Sequence, residues 1–185
     1  MTTATIDQQS ETGAAPADLQ KVTALIEQRG AFDFLSLSLI TSPEAVPAIL
    51  KAQHGEILAL TDDVRRAADD RANKPGAVAL EVRNLLTVLA SRLTVHLAFE
   101  SNQVFKLMAA DARLRALGGQ FERESGNLKA SFQAFTNTYG TPSAILGKLS
   151  DFKQDLEALR REFSDAFKAE ERELYPSYER ASRTI

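Results

Sequence analysis

A chain of 185 residues with 44% apolar and 25% charged side chains is the length of one ordinary domain and can bury a sizeable core. Its formal net charge is −3, with Lys and Arg interleaved among Asp and Glu, which disfavours a nucleic-acid or anionic-membrane partner. The absence of cysteine excludes disulfides and thiolate metal sites and agrees with a reducing, cytoplasmic location.

Residues 1–16, rich in Thr, Gln, Ala and Ser, carry too little apolar surface to offset the entropy of ordering, and a disordered tail is expected. The first twenty residues lack the basic start and apolar run of a signal peptide. No apolar run in the chain reaches the roughly 18 residues of a membrane-spanning helix. Residues 17–41 are expected to form an N-terminal helix and a packed connector. Leu19, Val22, Leu25 and Ile26 recur at helical spacing as far as Gly30. The alternation of Leu35, Leu37 and Leu39 with Ser36 and Ser38 has the period of a strand but no partner strand elsewhere, so a connector or helical turn is expected. Its apolar surface can serve a homodimer contact through Phe32–Ile40.

Four helices follow over residues 42–180. Ser42-Pro43-Glu44 is a helix start, since a Ser oxygen accepts an orphan amide and Pro suits the first turn; that helix is expected to run to about Asp70. Asn73 to Gly76 form a turn, after which Val78, Val82, Leu85, Leu86, Leu89, Leu93, Val104 and Leu107 give an apolar stripe ending near Met108. Asp111 to Leu117 can form a separate turn of helix, and Gly118-Gly119 should loosen the chain. Phe121, Leu128, Phe132, Phe135 and Tyr139 mark the third helix, closed by Gly140-Thr141-Pro142. The fourth carries Leu149, Phe152, Leu156, Leu159, Phe163, Phe167 and Leu174 and is expected to end after Tyr178. Long helices with short connections give an all-α fold, an up-down-up-down four-helix bundle with an N-terminal helical extension.

Ionisable residues interrupt this apolar rhythm. His54 lies four residues after Leu50 and three before Ile57, so its ring points inward with them. His96 follows Leu89 by seven and Glu100 follows Leu93 by seven, which sets them one turn apart on the same seam. Glu170 follows Phe163 by seven, and neighbouring Glu171 shares the face of Phe167 and Leu174. A buried carboxylate without a partner costs several kcal/mol or protonates, so these groups need each other or a cation. One solution is a hydrogen-bonded network of His54, His96, Glu100 and Glu170, extended by Arg92, Thr94 or Tyr175. The other is a metal ion between facing helices, with His96 and Glu100 supplying two ligands from one helix. Ser125 has no His and acid arranged as a triad, and Gly118-Gly119 lacks the strand and helix of a phosphate loop.

The segment His96-Leu97-Ala98-Phe99-Glu100, followed by Val104-Phe105, is similar to the HFxxEExxLFP signature of hemerythrin-like (HHE cation-binding) domains. A second copy resembles Ala166-Phe167-Lys168-Ala169-Glu170-Glu171 leading to Leu174-Tyr175-Pro176, and Leu50 to Ile57 looks like the first-helix segment with its single His. The resemblance implies a bundle holding a non-haem iron pair, usually with five histidines and two carboxylates. Carried over, His54, His96 and Glu100 take ligand positions, and Glu170 or Glu171 matches the carboxylate of the last helix. Ser125, Lys129 and Ala166 stand where the family would have histidine. Glu122 and Glu124 lie near the vacant corner of the third helix and are expected to be solvated rather than substitute ligands.

This reduced set implies a metal-binding protein holding iron as one ion or a weakly held pair, with Mn or Zn as alternatives. Its expected role is metal or redox sensing or handling, not reversible dioxygen carriage and not turnover. The alternative is a metal-free bundle of the same fold serving as an interaction or dimerisation module.

Overall fold

A computed structural model describes residues 43–70 and 72–183. The disordered tail, the N-terminal helix and the Phe32–Ile40 connector lie outside these residues. A single 3-10 turn, Pro43–Ala45, opens into helix α1, Val46–Asp69. Helix α2, Pro75–Glu100, passes without a break into a π-helical turn, π1 (Ser101–Phe105), and then α3, Lys106–Ala110. Helix α4, Arg115–Thr138, is followed by the short α5, Pro142–Gly147. Helix α6, Leu149–Ala169, continues through π2, Glu170–Leu174, into α7, Tyr175–Ser182. Prolines in the first turns of α1, α2 and α5 stand where a missing N–H costs little. Thr141 caps α5 by accepting the Ala144 amide.

The described residues form an all-α four-helix bundle. Helix α1 packs against α2 and α6, and α4 packs against α6 and π1. One expectation is corrected by α4. Gly118 and Gly119 lie inside that helix, whose first turn begins at Arg115. Gly118 is there for proximity, because a β-carbon at that position would sit 2.9 Å from the Met108 Cβ. The glycine therefore lets α3 and α4 close on each other.

The interior divides into two apolar clusters. One holds Ile57, Leu60, Leu89, Leu93, Leu128, Phe132, Phe163 and Phe167, among others. The other holds Leu50, Phe99, Val104, Phe105, Met108, Phe121, Leu174, Tyr175 and Tyr178. Each long helix crosses from one to the other, and at the crossing each buries a polar side chain. The sequence runs Leu50, His54, Ile57 in α1; Leu93, His96, Glu100, Val104 from α2 into π1; Phe121, Ser125, Leu128 in α4; and Phe167, Glu170, Leu174 from α6 into π2. One polar layer thus cuts across an apolar bundle. Fully burying each large apolar side chain above and below it stabilises the fold by about 1.5–3 kcal/mol.

On the outer face Arg160 donates Nε to Asp62 Oδ1 at 2.8 Å and bridges α6 to α1. The hydrogen bond from Arg160, more than its charge, holds the Asp62 carboxyl below the usual carboxylate range. A depressed pKa contributes stability above the unfolded value, about 3.9, that is lost as pH falls through the folded one. Arg160→Gln is expected to cost under about 1 kcal/mol at neutral pH. The loss should shrink as the medium is made acidic, as read from urea unfolding at neutral pH and in acid. A cost that does not change with pH would assign the effect to packing of the arginine stem.

Candidate metal centre

The wide turns set the layer. In π1 the Lys106 N–H bonds to Ser101 O, and in π2 the Tyr175 N–H bonds to Glu170 O, each spanning five residues. In an α-helix residues i and i+5 face apart, whereas a π turn stacks them on one face. Consequently Glu170 and Tyr175 both enter the interior, and the Tyr175 hydroxyl comes within 3.3 Å of Glu170 Oε2. The same hydroxyl lies 3.3 Å from Glu100 Oε1 and 3.1 Å from His54 Nε2. His54 Nε2 is also 3.0 Å from Glu170 Oε2.

Both imidazoles are oriented from behind. His54 Nδ1 donates to Glu171 Oε1 at 2.8 Å, and the ring lies flat on Phe167 with centroids 4.0 Å apart and planes 5° from parallel. In the neutral ring that proton assignment leaves Nε2 as a lone pair facing the pocket. His96 Nδ1 donates to Gln53 Oε1 at 3.1 Å, and its Nε2 is buried with no hydrogen-bond partner. Burial first, then the neighbouring His54, pushes His96 down to about 3, so its ring is an uncharged base at neutral pH. The ligand atoms of His54, His96 and Glu170 all lie within 4.8 Å of one another.

Glu100 is fully buried and joins them through Tyr175, with its second oxygen accepting from Ser125 Oγ at 3.2 Å. Its carboxyl is held well above the ordinary range by burial and then by the charge of Glu170, while Ser125 and Tyr175 pull it back. Burial and both carboxylates raise the Tyr175 phenol as well. A carboxyl raised on folding keeps its proton in the folded state after the unfolded chain has released it. Stability therefore falls as pH rises above the unfolded value, about 4.3. Glu100→Gln is expected to stabilise the metal-free protein at neutral pH by about 1–3 kcal/mol. It should also flatten that decline, measured by urea unfolding with chelator across about pH 5 to 8. An unchanged slope would place the buried proton on another group.

The structure brings His54, His96, Glu100 and Glu170 into one pocket. Glu171, on the same wide turn, instead reaches the outer nitrogen of His54 with its side chain 39% exposed. Arg92 pairs with Glu56 at 2.9 Å and Thr94 bonds back to Ala90, so neither joins the polar layer, whereas Tyr175 does. Glu122, Glu124 and Lys129 are exposed, and Ala166 packs against the apolar cluster without offering a donor. Gln53 was missed by the sequence reading. The one available signal is its place three residues after Leu50 and four before Ile57, on the buried face.

The donor set fits a cation. His54 Nε2, Glu100 Oε1 and Glu170 Oε2 surround a phenol that has one proton to give, the proton held on Glu100 meets only part of that demand, and His96 Nε2 receives none. Buried acceptors in that excess need either extra protons or a positive ion. Two nitrogens with oxygen donors suit a single Fe, Mn or Zn ion. They do not suit a nitrogen-rich iron pair, because the hydroxyl of Ser125, the outward Lys129 and Ala166 add no nitrogen to the pocket. The family model for the hemerythrin HHE cation binding domain matches residues 45–178. No curated protein and no solved structure matches the chain.

Proposed function

This chain belongs to the hemerythrin HHE cation-binding domain family, and we propose that it binds a metal ion through His54, His96, Glu100 and Glu170, with Glu171 fixing the His54 ring. Its role is the handling or sensing of metal or oxidants, without turnover of a substrate. The observation that carries this reading is the buried cluster of His54, His96 and Glu170, with ligand atoms within 4.8 Å of one another, in which His96 Nε2 has no hydrogen-bond partner. A neutral base held there without a hydrogen bond is costly unless a cation takes its lone pair.

Iron is the proposed metal, with Mn and Zn acceptable to the same donors. A bound iron supplies Lewis acidity and one-electron redox chemistry. The protein's own part is to hold two neutral nitrogens and two carboxylates in a buried layer, with Gln53 and Glu171 fixing the ring orientations. Reversible dioxygen carriage is not proposed, since the nitrogen donors at Ser125, Lys129 and Ala166 are absent.

A second reading has its own observation. The Tyr175 hydroxyl already ties His54, Glu100 and Glu170 together, so a metal-free bundle serving as an interaction or dimerisation module can also close this pocket. The dimer contact proposed for that role is Phe32–Ile40. The two readings separate on untagged protein carried through purification without chelator. Metal analysis is expected to find bound iron, and its removal to lower the melting temperature by several degrees, because an ion that binds only the folded state stabilises it by mass action. Isolated protein without metal, melting identically with and without chelator, would establish the second reading.

A further inference from the structure

Resting on that reading of the pocket, we propose that Tyr175 is itself a ligand to a single bound ferric ion, its phenolate oxygen taking the place of a missing histidine. The phenol oxygen is the point on which the donors converge, 3.1 Å from His54 Nε2 and 3.3 Å from oxygens of both Glu100 and Glu170. Among the described residues, no other side chain hydrogen-bonds to all three. Tyr175 is fully buried, and the π turn that ends at its own N–H holds it on the same face as Glu170. An ion held by these histidines and acids therefore meets the phenol oxygen as a neighbour.

Charge selects the ion. Two carboxylates and a phenolate carry three negative charges, while His54 and His96 ligate as neutral rings. With no buried Lys or Arg among the described residues, a trivalent cation leaves no net charge uncompensated and a divalent one leaves one. The phenol proton passes to solvent as the oxygen is taken by the ion, so no oxidant or reductant is consumed. Hard oxygen donors favour the ferric state over the ferrous. The remaining tyrosines have other surroundings: Tyr139 donates to Asp155 at 2.6 Å in the opposite cluster, and Tyr178 is packed among apolar neighbours.

The test uses the full chain, stripped with chelator, loaded with ferric ion and desalted. Iron per chain, visible absorption and resonance Raman scattering within the visible band are then measured. The expected result is one iron per chain and a visible phenolate-to-iron band that carries phenolate ring vibrations. Tyr175→Phe should lose the band and bind iron about tenfold or more weakly, whereas Tyr139→Phe and Tyr178→Phe keep it. If Tyr175→Phe does not fold, the phenolate vibrations of the wild type and their survival in the other two variants assign the ligand. A loss of the band in either of those variants overturns the assignment. Iron bound without a band, or an unchanged band in Tyr175→Phe, overturns the tyrosine ligand and leaves metal binding intact. Two irons per chain overturn the single-ion site, and no bound iron overturns both this proposal and the one it rests on.

Discussion

His96→Ala and His54→Ala are each expected to lower metal affinity by at least about 100-fold, equivalent to about 2.7 kcal/mol. Each removes one of only two nitrogens available to the ion, and the remaining oxygen donors bind iron without the geometry that the imidazoles impose. The residues behind them should matter less. Gln53→Ala leaves His96 in place but frees its ring to turn, a loss of the orienting hydrogen bond that costs about 10–100-fold. Thr94→Ala, on the exposed side of α2 and bonded only to Ala90 O, should leave affinity unchanged. Competition with a chelator of known affinity reads all four variants on one scale. Equal affinity in His96→Ala and the wild type would remove the unpartnered nitrogen from the argument. A loss in Thr94→Ala equal to that in His96→Ala would show that the assay reports folding and not ligation.

The polar layer was legible because a seven-residue repeat keeps a residue on the same helical face. His96 after Leu89, Glu100 after Leu93 and Glu170 after Phe163 all fall inside, where that spacing puts them. What it could not separate was Glu170 from Glu171. That decision belongs to the π turn, which inserts one extra residue into the ladder and shifts the helical phase beyond it. Before the insertion Glu170 points at the pocket; after it Tyr175 does too, five residues on, a spacing that α-helical periodicity assigns to different faces. For the same reason Tyr175 appeared in the sequence as one of three candidates to extend a network, with nothing to prefer it over Arg92 or Thr94. Gly118 was misjudged on different grounds. A glycine pair between two apolar stripes resembles a break, and only the proximity of Met108 reveals that the helix continues through it. Bundle architecture therefore follows from pattern, while the choice of pocket residues depends on a local departure from it, the π turn.

Phe167→Ala is expected to destabilise the protein by about 3–5 kcal/mol and also to weaken metal binding, a combination that no other apolar substitution in the bundle should give. The ring is buried and stacks on His54 at 4.0 Å while meeting His96 edge-on at 5.5 Å, so it is the floor of both imidazoles as well as part of the apolar cluster. Its removal leaves a cavity beneath the ligands, and an imidazole that can tilt loses the alignment set by Glu171 and Gln53. Phe163, one turn earlier on α6, separates the two effects. It is fully buried and packs on Phe167 at 5.9 Å, with no ring contact to either histidine. Phe163→Ala should therefore cost a similar amount of stability by urea unfolding of the metal-free protein. Its affinity for iron should stay within about threefold of the wild type, whereas that of Phe167→Ala falls by about tenfold or more. Parallel losses of affinity in both variants would mean that the layer responds to bundle stability as a whole, and that its ligands are not held by Phe167 in particular.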